Sequence, residues 1–178
     1  MGEYELLKRR NFKNYSLGHQ RMYKAPVTLL ADRRCRVLEV GTGIGWGLAL
    51  MRREGVFREY VGVEPDPKAY AYTLAASTGW EGVKLINASF PTPDVEGVFD
   101  HVFCIEVVEH LPAPDREGVL RKLREHTGRM LWLSTPDKDK SGHGVLTGAQ
   151  WQEMLEASGF EVVRVEEQWT TLFVCRPV

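Results

Sequence analysis

Cysteine is scarce: Cys35, Cys104 and Cys175 are the only three in 178 residues, no two stand in C-x-x-C spacing, and each lies in or beside an apolar stretch. A disulfide scaffold is excluded, and buried free thiols in a reducing compartment are expected. Long apolar runs are also missing. Stretches such as Val102–Ile105 and Val107–Val108 fall far short of the roughly 20 residues that span a bilayer. The opening MGEYELLKRR has no apolar signal region, so the expectation is a cytoplasmic chain with no membrane partner. Nor is there a surplus of one charge. Lys and Arg number 23 against 24 Asp and Glu, a net charge of −1, so no whole-chain attraction draws nucleic acid or anionic lipid, although a local basic patch stays open. No repeat or low-complexity tract appears, and 43% hydrophobic residues suffice for one globular core.

What is present is an alternation of short β-rich runs with helical stretches, the pattern of a parallel sheet covered on both faces. Strands are predicted at Arg36–Val40, Tyr60–Val63, Val83–Ile86, His101–Ile105, Met130–Ser134, Phe160–Val165 and Thr171–Cys175. Helices are predicted at Trp46–Arg53, Pro67–Ser77, Asp115–Glu125 and Thr147–Ala157. Asp66-Pro67 reads as an N-cap with proline in the first turn, Thr147 and Gln150 as a capping box, and Gly79, Gly128 and Gly159 as helix stops. Between Ile86 and His101 the prolines Pro91 and Pro93 and the short span leave room only for a loop or a single turn. The last two strands, separated by Glu166–Thr170, should pair as an antiparallel hairpin at one edge. The fold class is therefore α/β: a Rossmann-like open sheet of seven strands, mostly parallel, with helices on both faces.

Val37-Leu-Glu39-Val-Gly41-Thr42-Gly43-Ile-Gly45-Trp-Gly47 runs from an apolar strand through alternating glycines into a helix. Such a turn lets a ligand approach the backbone and offers it unpaired N–H groups. The dinucleotide fingerprint fails in both registers, because its last position falls on Trp46 or Leu48. A phosphate-cradling loop fails too, since no Lys follows the glycines. The second strand ends Val61-Gly-Val63-Glu64-Pro65-Asp66, which places at its tip a carboxylate able to accept both hydrogen bonds of a ribose diol.

These residues, with Phe99-Asp100-His-Val-Phe-Cys-Ile-Glu106-Val-Val-Glu109-His110-Leu and Leu133-Ser-Thr-Pro136, resemble the class I S-adenosylmethionine-dependent methyltransferases. Within that class the resemblance is to the ubiquinone-biosynthesis (methyltransferase type 11) and small-RNA 2′-O-methyltransferase groups, and it runs from about Cys35 onward. It implies S-adenosyl-L-methionine as cofactor, with Gly41, Thr42, Gly43 and Gly45 under its methionine part, Glu39 anchoring that turn, and Glu64 with Pro65 at the ribose. Asn87-Ala88-Ser89 stands where relatives contact adenine, Ser89 being the aligned position, and Ile105 and Glu106 complete the cofactor set. Residues 1–34 would form a helical lid or substrate wall, and 35–178 the cofactor-binding core.

Two carboxylates and an imidazole, Glu106, Glu109 and His110, lie where open α/β sheets bind ligands, outside the carboxyl end of a strand. With His143 from the loop after the fifth strand they could surround Mg²⁺ or Mn²⁺, which would hold and acidify an acceptor hydroxyl. The same set resembles the metal ligands of the small-RNA enzymes. Two other readings stay open: a general base or substrate-orienting pair without metal, and polar groups that only start a helix. His101 and His126 read as structural. The segment from Lys8 through Tyr15, His19, Arg21, Tyr23 and Lys24 interleaves cations with aromatic rings; a solvated amphipathic helix is one reading, and a small-molecule lid or an RNA contact suits it equally. The expected activity is O-methylation, of a small molecule or an RNA 3′ end, with a homodimer as one way to complete an open acceptor face. The alternatives are a metal-independent small-molecule methyltransferase and a non-catalytic cofactor-binding module of the same fold.

Overall fold

The computed structural model describes residues 22–30, 33–136, 146–167 and 170–178. Seven strands make a mixed sheet of order β3-β2-β1-β4-β5-β7-β6, and the chain divides into two compact units with the boundary between Asp94 and Val95.

The first unit contains helix α1 (22–29), strand β1 (Cys35–Val40), helix α2 (Trp46–Arg53), strand β2 (Phe57–Val63), helix α3 (Pro67–Ala76) and strand β3 (Val83–Ile86). β1 pairs parallel with β2, setting Glu39 beside Gly62 and Val40 beside Val63, and β2 pairs parallel with β3. Both strand–helix–strand units obey the expected alternation because Val37, Leu38, Tyr60, Val61 and Val63 are buried in the pleat and can be so only with helices above and below. α3 starts as its sequence requires: the Asp66 carboxylate accepts from Lys68 N at 2.8 Å and Pro67 opens the first turn.

The second unit contains strand β4 (Phe99–Ile105), a 3₁₀ turn (Val108–His110), helix α4 (Ala113–His126), strand β5 (Thr127–Pro136), helix α5 (Gly148–Ala157) and strands β6 (Phe160–Glu167) and β7 (Thr170–Pro177). β4 and β5 are parallel. β7 returns antiparallel between β5 and β6, so the hairpin at the sheet edge is as expected. Thr147 and Gln150 form the capping box at the start of α5. Arg124 closes the unit, donating from Nε to Gly159 O at 2.8 Å and from Nη2 to Val178 O at 2.6 Å. The three thiols are buried, and Trp132 and Trp151 are core residues.

Two local expectations change. The strands run longer than their apolar alternation: β2 takes in Arg58 and Glu59, the latter paired with Arg36, and β5 begins at Thr127, paired with Phe99. Gly128 does not stop a helix. α4 passes at Thr127 directly into β5, and a Cβ on Gly128 would stand 2.9 Å from Phe99 O; the glycine permits close strand approach rather than a left-handed turn. The span between β3 and β4 carries no helix, as expected. No helix among the described residues is long and apolar enough to cross a membrane.

At Gly82, just before β3, the backbone has φ +75° and a Cβ would overlap the Arg58 carbonyl oxygen of β2. Gly82→Ala is expected to cost about 2 kcal/mol or more, since both the dihedral and the contact must give. Urea unfolding will show a lowered midpoint, and an unchanged midpoint would mean that the β2–β3 approach relaxes freely.

Candidate active site

The glycine turn of the first unit is built around a buried carboxylate. Glu39, near the end of β1, has no exposed surface, and the hydroxyls of Tyr23 from α1 and Tyr60 from β2 both donate to it. A buried carboxylate is tolerable only when bonded in this way. Burial, and then the charge of Glu39, raise the Tyr60 phenol well above its ordinary pKa, which keeps it a donor. Glu39 also dictates its neighbour in the first turn of α2: a Cβ at Gly47 would collide with its carboxylate and with the Tyr23 ring. Above it, Gly41, Gly43 and Gly45 adopt φ of +78°, +55° and +84°. Gly41 N and Thr42 N donate to Val63 O at 2.9 and 3.1 Å, which fixes the turn against β2.

Glu64 stands just beyond the tip of β2. Gly43 N donates to its Oε2 at 2.7 Å and Asp66 N to its Oε1 at 2.8 Å, so the carboxylate is held against the glycine turn. Asn87 Nδ2 donates to Glu64 O at 2.8 Å and Pro65 O at 3.3 Å, stapling that loop to the end of β3. Ala88 is half-buried and Ser89 exposed beside it. Thr73, which the sequence did not single out, completes the cradle: its hydroxyl donates to Gly43 O at 2.9 Å and its side chain crowds Gly45. A lone threonine in a helix carries no signal until the tertiary contact is known. The arrangement fits an adenosyl cofactor, offering a close backbone approach at the turn and an aimed carboxylate at its rim.

In the second unit, β4 ends on Ile105, which is buried, and Glu106, whose backbone takes φ +56°, a left-handed conformation that is costly for a residue with a Cβ. Hydrogen bonds hold it there. Glu106 N donates to Ser134 O at 3.1 Å, and the Ser134 hydroxyl donates to Glu106 Oε1 at 3.0 Å. Glu109 lies in the 3₁₀ turn, 5% exposed, and its Oε2 has no hydrogen-bond partner among the described residues. Burial first, and then the charge of Glu106, push its carboxyl up to about 8, against the pull of a backbone hydrogen bond and of Arg116. Glu109 is thus protonated at neutral pH. The His110 ring points outward, its side chain 63% exposed, with Nε2 3.9 Å from Glu109 Oε1, which is too long for a hydrogen bond. His101 is packed against Trp132, whose Nε1 donates to its Nδ1 at 3.4 Å, and the His126 ring meets Gly97 O at 2.8 Å; both are placed structurally.

The expected metal set is only partly within view. Glu106, Glu109 and His110 do not converge, and among the described residues no group of three His, Cys, Asp or Glu stands close enough to hold an ion. His143 lies outside the described residues, as do 1–21 of the expected lid.

Comparison with known proteins decides the family. Residues 7–165 match the family model described as a methyltransferase domain. This chain belongs to that methyltransferase family. The chain is 42% identical over 82 residues to an uncharacterized methyltransferase of Mycobacterium sp. strain KMS, a match over 46% of this chain and 31% of that protein; it thus spans about a third of the length of the curated relatives it matches. Its fold is shared with magnesium protoporphyrin IX methyltransferase of Synechocystis PCC 6803, solved with bound SAM, at a TM-score of 0.77 and 18% identity over 91% of this chain and 81% of that one. It is shared also with a Haloferax volcanii methyltransferase solved in complex with the Trm112 methyltransferase activator, at 0.81 and 15% over 99% and 98%. The expected methyltransferase family is borne out by the family model, and the fold expected of the class I enzymes by the solved structures.

Two outcomes follow for this chain. A carboxyl that keeps its proton to about pH 8 when folded contributes stability that is full below the unfolded value near 4.5 and lost as pH rises toward 8. Relative to Glu109→Gln, the wild-type unfolding free energy should fall by on the order of 3 kcal/mol between about pH 5 and pH 8; parallel pH profiles would show that Glu109 is ionised throughout. Glu106→Gly should be more stable than Glu106→Ala by about 1 kcal/mol, since only glycine relieves the positive φ, and equal thermal midpoints would remove the strain.

Proposed function

We propose that this methyltransferase moves the methyl group of S-adenosylmethionine onto a hydroxyl oxygen of a small-molecule acceptor. The observation that carries the donor half is Glu64, aimed by Gly43 N and Asp66 N at the rim of a turn of left-handed glycines. The cofactor supplies a methyl group on a sulfonium, already activated for in-line displacement. The chain supplies placement. Gly41, Thr42, Gly43 and Gly45 pass beneath the methionine part, Glu39 keeps that turn in shape from below, and Glu64 accepts from the ribose diol. Pro65, Ala88 and Ser89 border the adenine end, and Asn87 serves there by holding the Glu64–Pro65 loop.

For the acceptor, the groups assigned are His110 and Glu106. The exposed imidazole of His110 takes the hydroxyl proton as the oxygen attacks, which is within the reach of a histidine near neutral pH. Glu106, held by Ser134 at the strand end, orients the acceptor. Glu109, buried and protonated, supports the turn that carries His110. A net charge of −1 favours a small acceptor over a polyanion, so an RNA 3′ end is the second substrate class to assay.

Calorimetry with S-adenosylhomocysteine tests the donor half. Wild type should bind one equivalent, and Glu64→Gln should bind roughly 10- to 100-fold more weakly, the loss expected for hydrogen bonds to a charged group. No binding by the wild type would sink the reading. Release of S-adenosylhomocysteine with a panel of hydroxylated small molecules, but not with an RNA bearing a free 2′,3′-diol, supports the acceptor class, and the reverse pattern overturns it.

A further inference from the structure

The reading of His110 as the acceptor-side base depends on the backbone of the short 3₁₀ turn that carries it. The second unit contains a buried cation that the chemistry has not used. Arg116, in the first turns of α4, is 1% exposed. Side chains on a helix lean toward its N-terminus, and that of Arg116 reaches back over the turn by which the chain enters α4. Its Nε donates to Leu111 O at 3.1 Å and its Nη2 to Glu109 O at 3.3 Å. The guanidinium lies over the Trp151 ring of α5, 5.5 Å from its centroid, and Trp151 is itself buried.

A leucine or methionine would fill such a position without burying a charge, and a buried charge is costly unless its bonds are good. What the guanidinium secures that an apolar side chain could not is the backbone on both sides of one residue. The two carbonyls it binds belong to Glu109 and Leu111, and between them stands His110, whose ring remains outside. A planar fork can hold two carbonyls at once, where a lysine ammonium offers a single point. Trp151 fixes the fork in turn, so three segments bear on the placement of one imidazole.

We propose that Arg116 is a positioning residue that clamps the peptide backbone flanking His110 and so presents its ring to the acceptor. Arg116 is too buried to touch substrate itself. The inference deepens the methyl-transfer reading and rests on it for the purpose of the clamp, although the clamp can be tested without any acceptor.

The test compares wild type, Arg116→Met and Arg116→Lys by NMR. The reporters are the amide hydrogens of His110 and Leu111, which donate to Val107 O and Val108 O at 3.0 and 3.2 Å, and the ring resonances of His110. In Arg116→Met these two amides should exchange roughly tenfold faster or more, and the ring lines should broaden or split. Central amides of β4 and β5 should stay within about threefold of wild type, because the opening is local. Arg116→Lys should fall between the two, restoring part of the protection. Uniform acceleration throughout the second unit would make Arg116 a core filler, and unchanged exchange at His110 and Leu111 would show that nothing is clamped; either result overturns the proposal. If Arg116→Met does not fold, the same comparison with Arg116→Lys alone decides it. S-adenosylhomocysteine affinity is measured on all three proteins: failure of wild type to bind it overturns methyl transfer while the exchange data still judge the clamp, and equal affinities with altered exchange support both.

Discussion

A carboxylate with no exposed surface lies beneath the glycine turn, and the first unit is arranged to make it tolerable. Glu39 must be bonded or it could not remain charged there, and its two donors, Tyr23 and Tyr60, come from different elements, α1 and β2. The same carboxylate leaves no room for a side chain at Gly47. One buried charge thus ties the helix before the sheet, the second strand and the first turn of α2 to a single geometry. The turn above can then keep three left-handed glycines in register with β2 and hold Glu64 at its rim. Preorganisation of this kind costs nothing at the moment of binding, because the donors are already in place.

The second unit solves a comparable problem by different means. Glu106 takes a left-handed conformation just beyond the end of β4, and Glu109 and His110 lie in a short 3₁₀ turn. Ser134 on β5 holds Glu106 in its left-handed conformation, and Arg116 on α4 holds the carbonyls that flank His110. Between them Glu109 is held toward its protonated form, first by burial and then by the charge of Glu106. The two glutamates, three residues apart in sequence, therefore have unlike environments and unlike charge, one half-buried and hydrogen-bonded by a neighbouring strand, the other sealed from solvent.

Much of the architecture was legible before any coordinates. Strand and helix periods, the Asp66-Pro67 cap, the Thr147–Gln150 box and the helix-free span before β4 are local signals, and the structure reports each of them. A misreading came where a local signal had a non-local cause. Gly128 looked like a helix stop because it follows a helix, yet it serves the approach of β5 to β4. Asn87, expected with Ser89 at the adenine end, has an amide that staples the Glu64–Pro65 loop, a partner that its place after β3 does not reveal. Thr73 and Arg116 gave no sign at all, since a threonine or an arginine in a helix is ordinary until its partner is known.

The sequence by itself determined the fold class, the methyltransferase family and the glycine turn with its rim carboxylate, because those depend on spacing and on backbone conformations that few residues permit. Only the tertiary structure decided which polar groups share an environment. Glu109 and His110 are adjacent in the chain, but one is buried and protonated while the other faces water, and the metal set that their spacing suggested does not assemble among the described residues. Burial, desolvation and the reach of a side chain from another helix are properties of three-dimensional neighbours, and no local pattern encodes them.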